Sequence, residues 1–138
     1  MGTRLTGRRA VVTEADSFMG PAIVNLFRDE GAQVIEDRRD LSQRGEAERL
    51  ITEARAIDIL IVNLRAPGRR APAHQTTDED WDHVFRRIVT PTHRLIRAVL
   101  PQMLARRSGK IVVIGGAGPE YGTPNLSCHD AARGAQHA

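Results

Sequence analysis

Short apolar runs alternate along this chain with longer stretches in which apolar residues recur every three or four positions. Arg9-Ala10-Val11-Val12-Thr13 is rich in β-branched residues, polar turn residues follow it, and Met19 to Glu30 is amphipathic and closed by Gly31. That order predicts strand, turn and helix. Gln33-Val34-Ile35-Glu36 predicts a second strand, and Arg44 to Ala54 a helix with Ala47, Leu50, Ile51 and Ala54 on one face. Ile57 to Val62 is apolar at nearly every position. A strand covered on both faces has that pattern, so it is expected at the centre of a parallel sheet.

Pro67, Gly68 and Pro72 mark a loop over Ala66 to Gln75. Thr76-Thr77-Asp78-Glu79 then has a capping-box arrangement, starting a helix that runs to about Arg107. Pro91 and Pro101 fall inside that span, which predicts a break near Thr90 and a bend or early end near Leu100. Lys110 to Ile114 predicts another strand, Gly115-Gly116 a turn, and the stretch from His129 a last helix. Strands alternating with helices imply an α/β fold, a Rossmann-like doubly wound parallel sheet in one domain over 1–138, with any site at the carboxyl ends of its strands. Between the second strand and the central one there are about twenty residues, room for a single crossover helix.

Composition narrows the function classes. The net charge is +3, and 19 of the 20 basic residues are Arg, Lys110 being the exception. They are scattered, with no aromatic interleaving, so no nucleic-acid partner is expected. No apolar run reaches membrane-spanning length, and Met1 is not followed by a signal sequence, so no membrane partner is expected and the cytoplasm is the default. The single Cys128 cannot form an internal disulfide, and His74, His83, His93 and His137 lack metal-ligand spacing, so no metal is expected.

The turn after the first strand, Thr13-Glu14-Ala15-Asp16-Ser17-Phe18-Met19-Gly20, keeps one glycine. A dinucleotide-binding turn needs glycines so that backbone amides can approach a pyrophosphate. Glu14 and Asp16 sit where phosphates would dock, and a like-charge contact at about 4 Å costs roughly 1 kcal/mol in water and about 4 kcal/mol at a protein surface. No NAD(P) cofactor is therefore expected. The alternative reading of these residues is a tight turn capped by Asp16 or Ser17.

Gly116, His129 and Arg133 stand at the spacing of a strand-end Ser followed by Tyr-x-x-x-Lys, a layout that resembles the short-chain dehydrogenase/reductase superfamily. Thr13, Phe18 and Gly20 match the Thr-x4-Phe/Tyr-x-Gly pattern of its halohydrin dehalogenase branch, which also carries Arg at the position of Arg133. Asp40-Leu41-Ser42, Val62-Asn63 and Pro91-Thr92-His93-Arg94 extend the resemblance over nearly the whole chain. The resemblance implies Gly116, His129 and Arg133 as catalytic positions, and Thr13, Phe18, Gly20, Asn63 and Tyr121 around a substrate and halide pocket. The implied substrate is a haloalcohol, converted to an epoxide without nicotinamide. Members of the superfamily continue with two further strands, so the chain resembles an N-terminal portion with an incomplete sheet, and self-association through the open edge is expected.

Gly116 has no hydroxyl to offer. His129 and Arg133 are four residues apart and share a helix face, so Arg133 would disfavour imidazolium and leave a neutral base near pH 7. The other reading of His129 is a solvated residue at a helix start. Activity is accordingly expected to be impaired or lost. An NAD(P)-dependent short-chain oxidoreductase and a non-catalytic interaction protein are the alternatives.

Overall fold

The computed structural model describes residues 3–65 and 68–138. The loop expectation for Ala66 and Pro67 lies outside them. Four strands, Arg9–Val12 (β1), Gln33–Glu36 (β2), Ile59–Val62 (β3) and Lys110–Val113 (β4), form one parallel sheet in the order β2-β1-β3-β4. The chain order is β1, α1 (Gly20–Asp29), β2, α2 (Glu46–Ala54), β3, α3 (Asp78–Val84), α4 (Thr90–Arg106), β4, α5 (Gly118–Tyr121) and α6 (Ser127–His137). β3 is paired on both sides and all four of its residues are buried, as its unbroken apolar run requires.

Register decides which face each side chain serves. Ile35, Val11, Leu60 and Ile111 lie in one row across the sheet, and all four belong to the larger core, with Leu50 and Ile51 of α2, Leu95 and Val99 of α4 and Ala132 of α6. The next row, with Val12 and Ile61, faces the opposite way into a smaller core closed by Val24, Ile23 and Phe27 of α1. Such alternation follows from the two-residue period of a strand. The predicted face of α2 is confirmed, since Ala47, Leu50, Ile51 and Ala54 are all buried.

Three local expectations shift. The capping box joins Thr77 to Asp80, one residue later than the Thr76 and Glu79 pairing. Thr77 Oγ1 accepts from the Asp80 N–H at 3.2 Å, while the Asp80 carboxylate accepts from the Thr77 N–H at 3.0 Å. The break foreseen near Thr90 is a widened π-type turn over Phe85–Val89. There Ile88 O accepts from the Thr92 hydroxyl at 2.6 Å, so a side chain serves a carbonyl beside Pro91. Pro101 does not end α4, which runs to Arg106. Both Pro101 and Arg97, whose carbonyl loses its usual donor, are exposed residues, so the lost bond falls on the solvent side of the helix. The short α5 carries no periodic signal and was not foreseen.

β4 pairs with β3 alone among the described residues, and Val112 is 43% exposed. Leu60, in contrast, is fully buried at the centre of the larger core. Leu60→Ala is expected to lower stability by about 2–5 kcal/mol in urea unfolding, whereas Val112→Thr is expected to change it by less than about 0.5 kcal/mol.

Candidate functional site

The carboxyl ends of β1, β2 and β3 converge on the turn between β1 and α1. Asn63, just beyond β3, is fully buried, and its Nδ2 lies within donating distance of Thr13 O (3.2 Å), Glu14 O (3.1 Å) and Ser17 O (3.1 Å). Its backbone N–H donates to Thr13 Oγ1 at 2.9 Å, and that hydroxyl donates to Asn63 O at 3.1 Å. The turn so held takes a glycine-like path without glycines: Glu14 and Phe18 have φ of 42° and 54°, a region L-residues rarely enter. Only Gly20 is sterically forced, since a Cβ there would lie 2.5 Å from Glu14 O. The expected cap by Asp16 or Ser17 is not formed. Met19 precedes α1 with no side-chain cap, Ser17 Oγ contacts Glu14 Oε2 at 3.5 Å and Asp16 faces Arg38 at 3.9 Å.

Outside this turn opens a cavity of about 430 Å³. Its walls carry Glu14, Asp16 and Asp40 against Arg38, Arg39, Arg65 and Arg87, with Ser17 beside them. The carboxylates are already answered. Glu14 accepts from Arg87 Nη2 at 3.1 Å and from the Arg65 N–H at 2.8 Å, and Asp40 accepts from Arg87 Nη1 at 2.8 Å. Asp37, 3% exposed at the end of β2, accepts from Arg39 Nε at 2.5 Å and leaves Oδ2 without a partner among the described residues. Burial pushes its carboxyl up from the ordinary Asp value, with Arg39 pulling the other way.

At the same end of the sheet, beyond β3 and β4, Arg133 of α6 is 4% exposed. Its Nη1 donates to Ile114 O at 2.9 Å and to Gln136 Oε1 at 2.8 Å, and its Nη2 to Leu64 O at 3.0 Å. Gln136 donates onward to Thr92 Oγ1 at 2.9 Å. Burial lowers the Arg133 pKa below the ordinary arginine value, and the charge of Glu14 opposes this. The guanidinium is thus committed to the ends of β3 and β4, rather than held for His129 as the four-residue spacing suggested. Gly116 does lie beside Arg133, since a Cβ there would be 3.9 Å from its Nε. His129 is half-buried one helical turn earlier.

Of the pocket residues read from the sequence, the structure brings some together inside the turn and leaves others outside it. Thr13, Asn63 and Gly20 build the interior of the turn, Phe18 is 53% exposed, and Tyr121 is 82% exposed. Sequence reasoning missed Arg65 and Arg87, which share Glu14, and His137, whose Nε2 occupies the space beside Gly115. Cys128 is buried. No group of three or more His, Cys, Asp or Glu suited to a metal occurs among the described residues, and no helix there is long and apolar enough to cross a membrane.

Residues 9–138 match the family model described as short chain dehydrogenase. The chain belongs to the short-chain dehydrogenase family. It is 29% identical to nodulation protein G of Rhizobium meliloti (strain 1021), over 94% of this chain and 62% of that protein. It is also 29% identical to dehydrogenase/reductase SDR family member 4 of Mus musculus, over 89% and 56%, and 27% identical to gluconate 5-dehydrogenase of Gluconobacter oxydans (strain 621H), over 95% and 62%. The chain therefore spans less than two thirds of the length of these curated relatives. A solved short chain dehydrogenase/reductase family protein superposes with a TM-score of 0.87 at 24% identity, covering 95% of this chain and 64% of that one, which shows the shared fold.

Membership of the short-chain dehydrogenase family, with dehydrogenases and reductases among its relatives, overturns the expectation that no NAD(P) cofactor is bound. Both physical arguments for that expectation fail on the structure. Glu14 and Asp16 do not present bare charge, because four guanidinium groups outnumber three carboxylates around the cavity. The lost glycines do not cost the turn its shape, because Glu14 and Phe18 adopt the left-handed backbone themselves.

Asn63→Ala should lower stability by about 1–3 kcal/mol and speed hydrogen exchange at Ala15 and Ser17, read by amide exchange and denaturant unfolding. For Asp37 the folded carboxyl sits above its unfolded value, so its ionised form opposes folding at neutral pH and the penalty disappears as pH falls through the folded pKa. Asp37→Asn should therefore be more stable than the parent at pH 7, and the gap should close toward the ordinary carboxylate range in pH-dependent unfolding.

Proposed function

We propose that this chain is the dinucleotide-binding portion of an NAD(P)-dependent short-chain oxidoreductase. The observation that carries this reading is the arginine-rich cavity at the carboxyl ends of β1, β2 and β3 in a chain of the short-chain dehydrogenase family. The residues present suit such a cofactor. Gly20 keeps a side chain out of the turn, and Arg38 and Arg39 follow β2 where the adenosine ribose is read. Arg39 is occupied by Asp37 and Glu53, whereas the Arg38 side chain, though its Nη2 donates to Glu36 at 2.8 Å, is 61% exposed at the cavity. An exposed guanidinium suits a ribose phosphate, so NADP(H) is preferred over NAD(H).

When bound, the nicotinamide supplies hydride exchange with a carbonyl or alcohol. Of the chain's own groups, the His129 imidazole stands at the position from which a proton would be given or taken. Arg133 holds the ends of β3 and β4 in place, and Gly116 gives room to a substrate oxygen without offering it a hydroxyl, which lowers the rate below that of a site with a serine there. None of the relatives named above carries a dehalogenase name, and halide release from a vicinal haloalcohol is expected at background. Self-association through the open edge of β4 belongs to the same proposal, and sedimentation velocity should show mass rising with concentration.

Fluorescence titration with NADPH tests the cofactor assignment. Saturable binding is expected, weakened at least about tenfold by Arg38→Glu, consistent with loss of a charge-assisted phosphate contact, with NADH binding more weakly than NADPH. A chain that shows no saturable binding of either nucleotide would sink the proposal.

A further inference from the structure

Away from the nucleotide cavity, α2 and α4 enclose a second polar hollow of about 470 Å³, lined by Arg44, Gly45, Glu48, Arg94 and Arg97. Three guanidinium groups face one carboxylate. Arg97 Nη2 donates to Glu48 Oε1 at 2.8 Å, so those two charges offset each other. Glu48 stays ionised, held below the usual carboxylate range by its own backbone N–H and then by Arg97. Arg44 and Arg94 form no ion pair among the described residues. Arg94 Nη1 is moreover shut off from water with no hydrogen-bond partner there.

A guanidinium N–H withdrawn from water without an acceptor is costly. Here three guanidinium groups border an open volume against one carboxylate, and although Arg94 also acts on Glu48, the lining keeps an excess of positive charge. The floor is open as well. Gly45, at φ 87°, precedes α2 without a side-chain cap, and a Cβ on it would meet nothing within 4 Å. Glu48 Oε2, also buried and unpartnered among the described residues, bounds the hollow on its acidic side.

We propose that this hollow binds a phosphate-type anion, either inorganic phosphate or the phosphomonoester group of a small metabolite. A tetrahedral oxyanion offers acceptors in several directions and can serve Arg44 and Arg94 together, as guanidinium groups bind phosphate in fork geometry. The volume exceeds that of a free phosphate, which leaves room for the organic part of a monoester. None of these side chains lines the first cavity, so the proposal stands apart from the nucleotide reading.

The test titrates the chain, in a phosphate-free buffer at ionic strength fixed with sodium chloride, against inorganic phosphate and in parallel against glycerol 3-phosphate. Arginine Nε–Hε resonances report binding. A saturable shift of the Arg94 and Arg97 signals is expected, and affinity read from the Arg97 signal should weaken at least about tenfold in the Arg44→Gln, Arg94→Gln double variant, which leaves the Arg97–Glu48 pair intact. Glu48→Gln should move affinity the other way, tightening it, a direction that loss of structure would not produce. Arg38→Glu, in the nucleotide cavity, should leave phosphate binding here unchanged. Tighter binding of glycerol 3-phosphate identifies a metabolite headgroup and equal binding identifies the free ion, and either supports the site. Shifts no different from those with chloride, binding abolished by Arg38→Glu, or binding indifferent to Arg44 and Arg94 would overturn it. If the double variant fails to fold by circular dichroism, the Arg94 signal of the parent and the sign of the Glu48→Gln effect decide.

Discussion

Asn63 sits at the end of the central strand with its side chain fully out of water, and its amide nitrogen is shared among three carbonyls of the turn after β1. Few buried groups do so much at one point. The amide ties β3 to β1 beyond the last ladder bond, sets the path of residues 13–17, and brings the following backbone to where the Arg65 N–H meets Glu14. The cost is visible too, since Asn63 Oδ1 has no partner among the described residues and a buried acceptor left unmade is unfavourable. The cavity outside the turn inherits its shape from this arrangement.

Arg133 has a comparable role at the neighbouring strand end. A buried guanidinium normally seeks a carboxylate, but here it meets backbone carbonyls of Leu64 and Ile114 and the amide of Gln136. Carbonyl dipoles satisfy its donors without a counter-charge, so burial still disfavours the charged form. A lysine could not span the same acceptors, because the forked geometry is what reaches two strand ends at once. The arginine at this position thus reads as a brace for the sheet as well as a neighbour of the proposed proton-transfer group.

The strands were legible because each has β-branched or apolar residues at its centre, buried throughout in Ile59–Val62 and only partly covered in Gln33–Glu36. The helix faces were legible for the same reason. What stayed hidden is long-range or conformational. Arg87 lies far along the chain from Glu14, and nothing local announces that the two pair. The turn was judged by its glycine count, whereas its backbone is set by tertiary hydrogen bonds that hold Glu14 and Phe18 at positive φ. The π-type turn at Phe85–Val89 arises where Pro91 interrupts the ladder, a rearrangement that periodicity does not encode.

The parallel sheet also governs how this chain can fold. Arg9 pairs with Gln33, Ala10 with Ile59, and Ile59 with Lys110, so no neighbouring strands are joined by a hairpin and each contact waits on closure of a long loop. Loop closure costs entropy before pairing rewards it, which makes such topologies slow. In vectorial synthesis the β1–α1–β2 unit emerges before β3, with β1 half-satisfied, and the open side of β1 is paired only when β3 arrives. Until then Val11 and Val12 have partners on one side only, and that interval is when this chain is most exposed to mispairing.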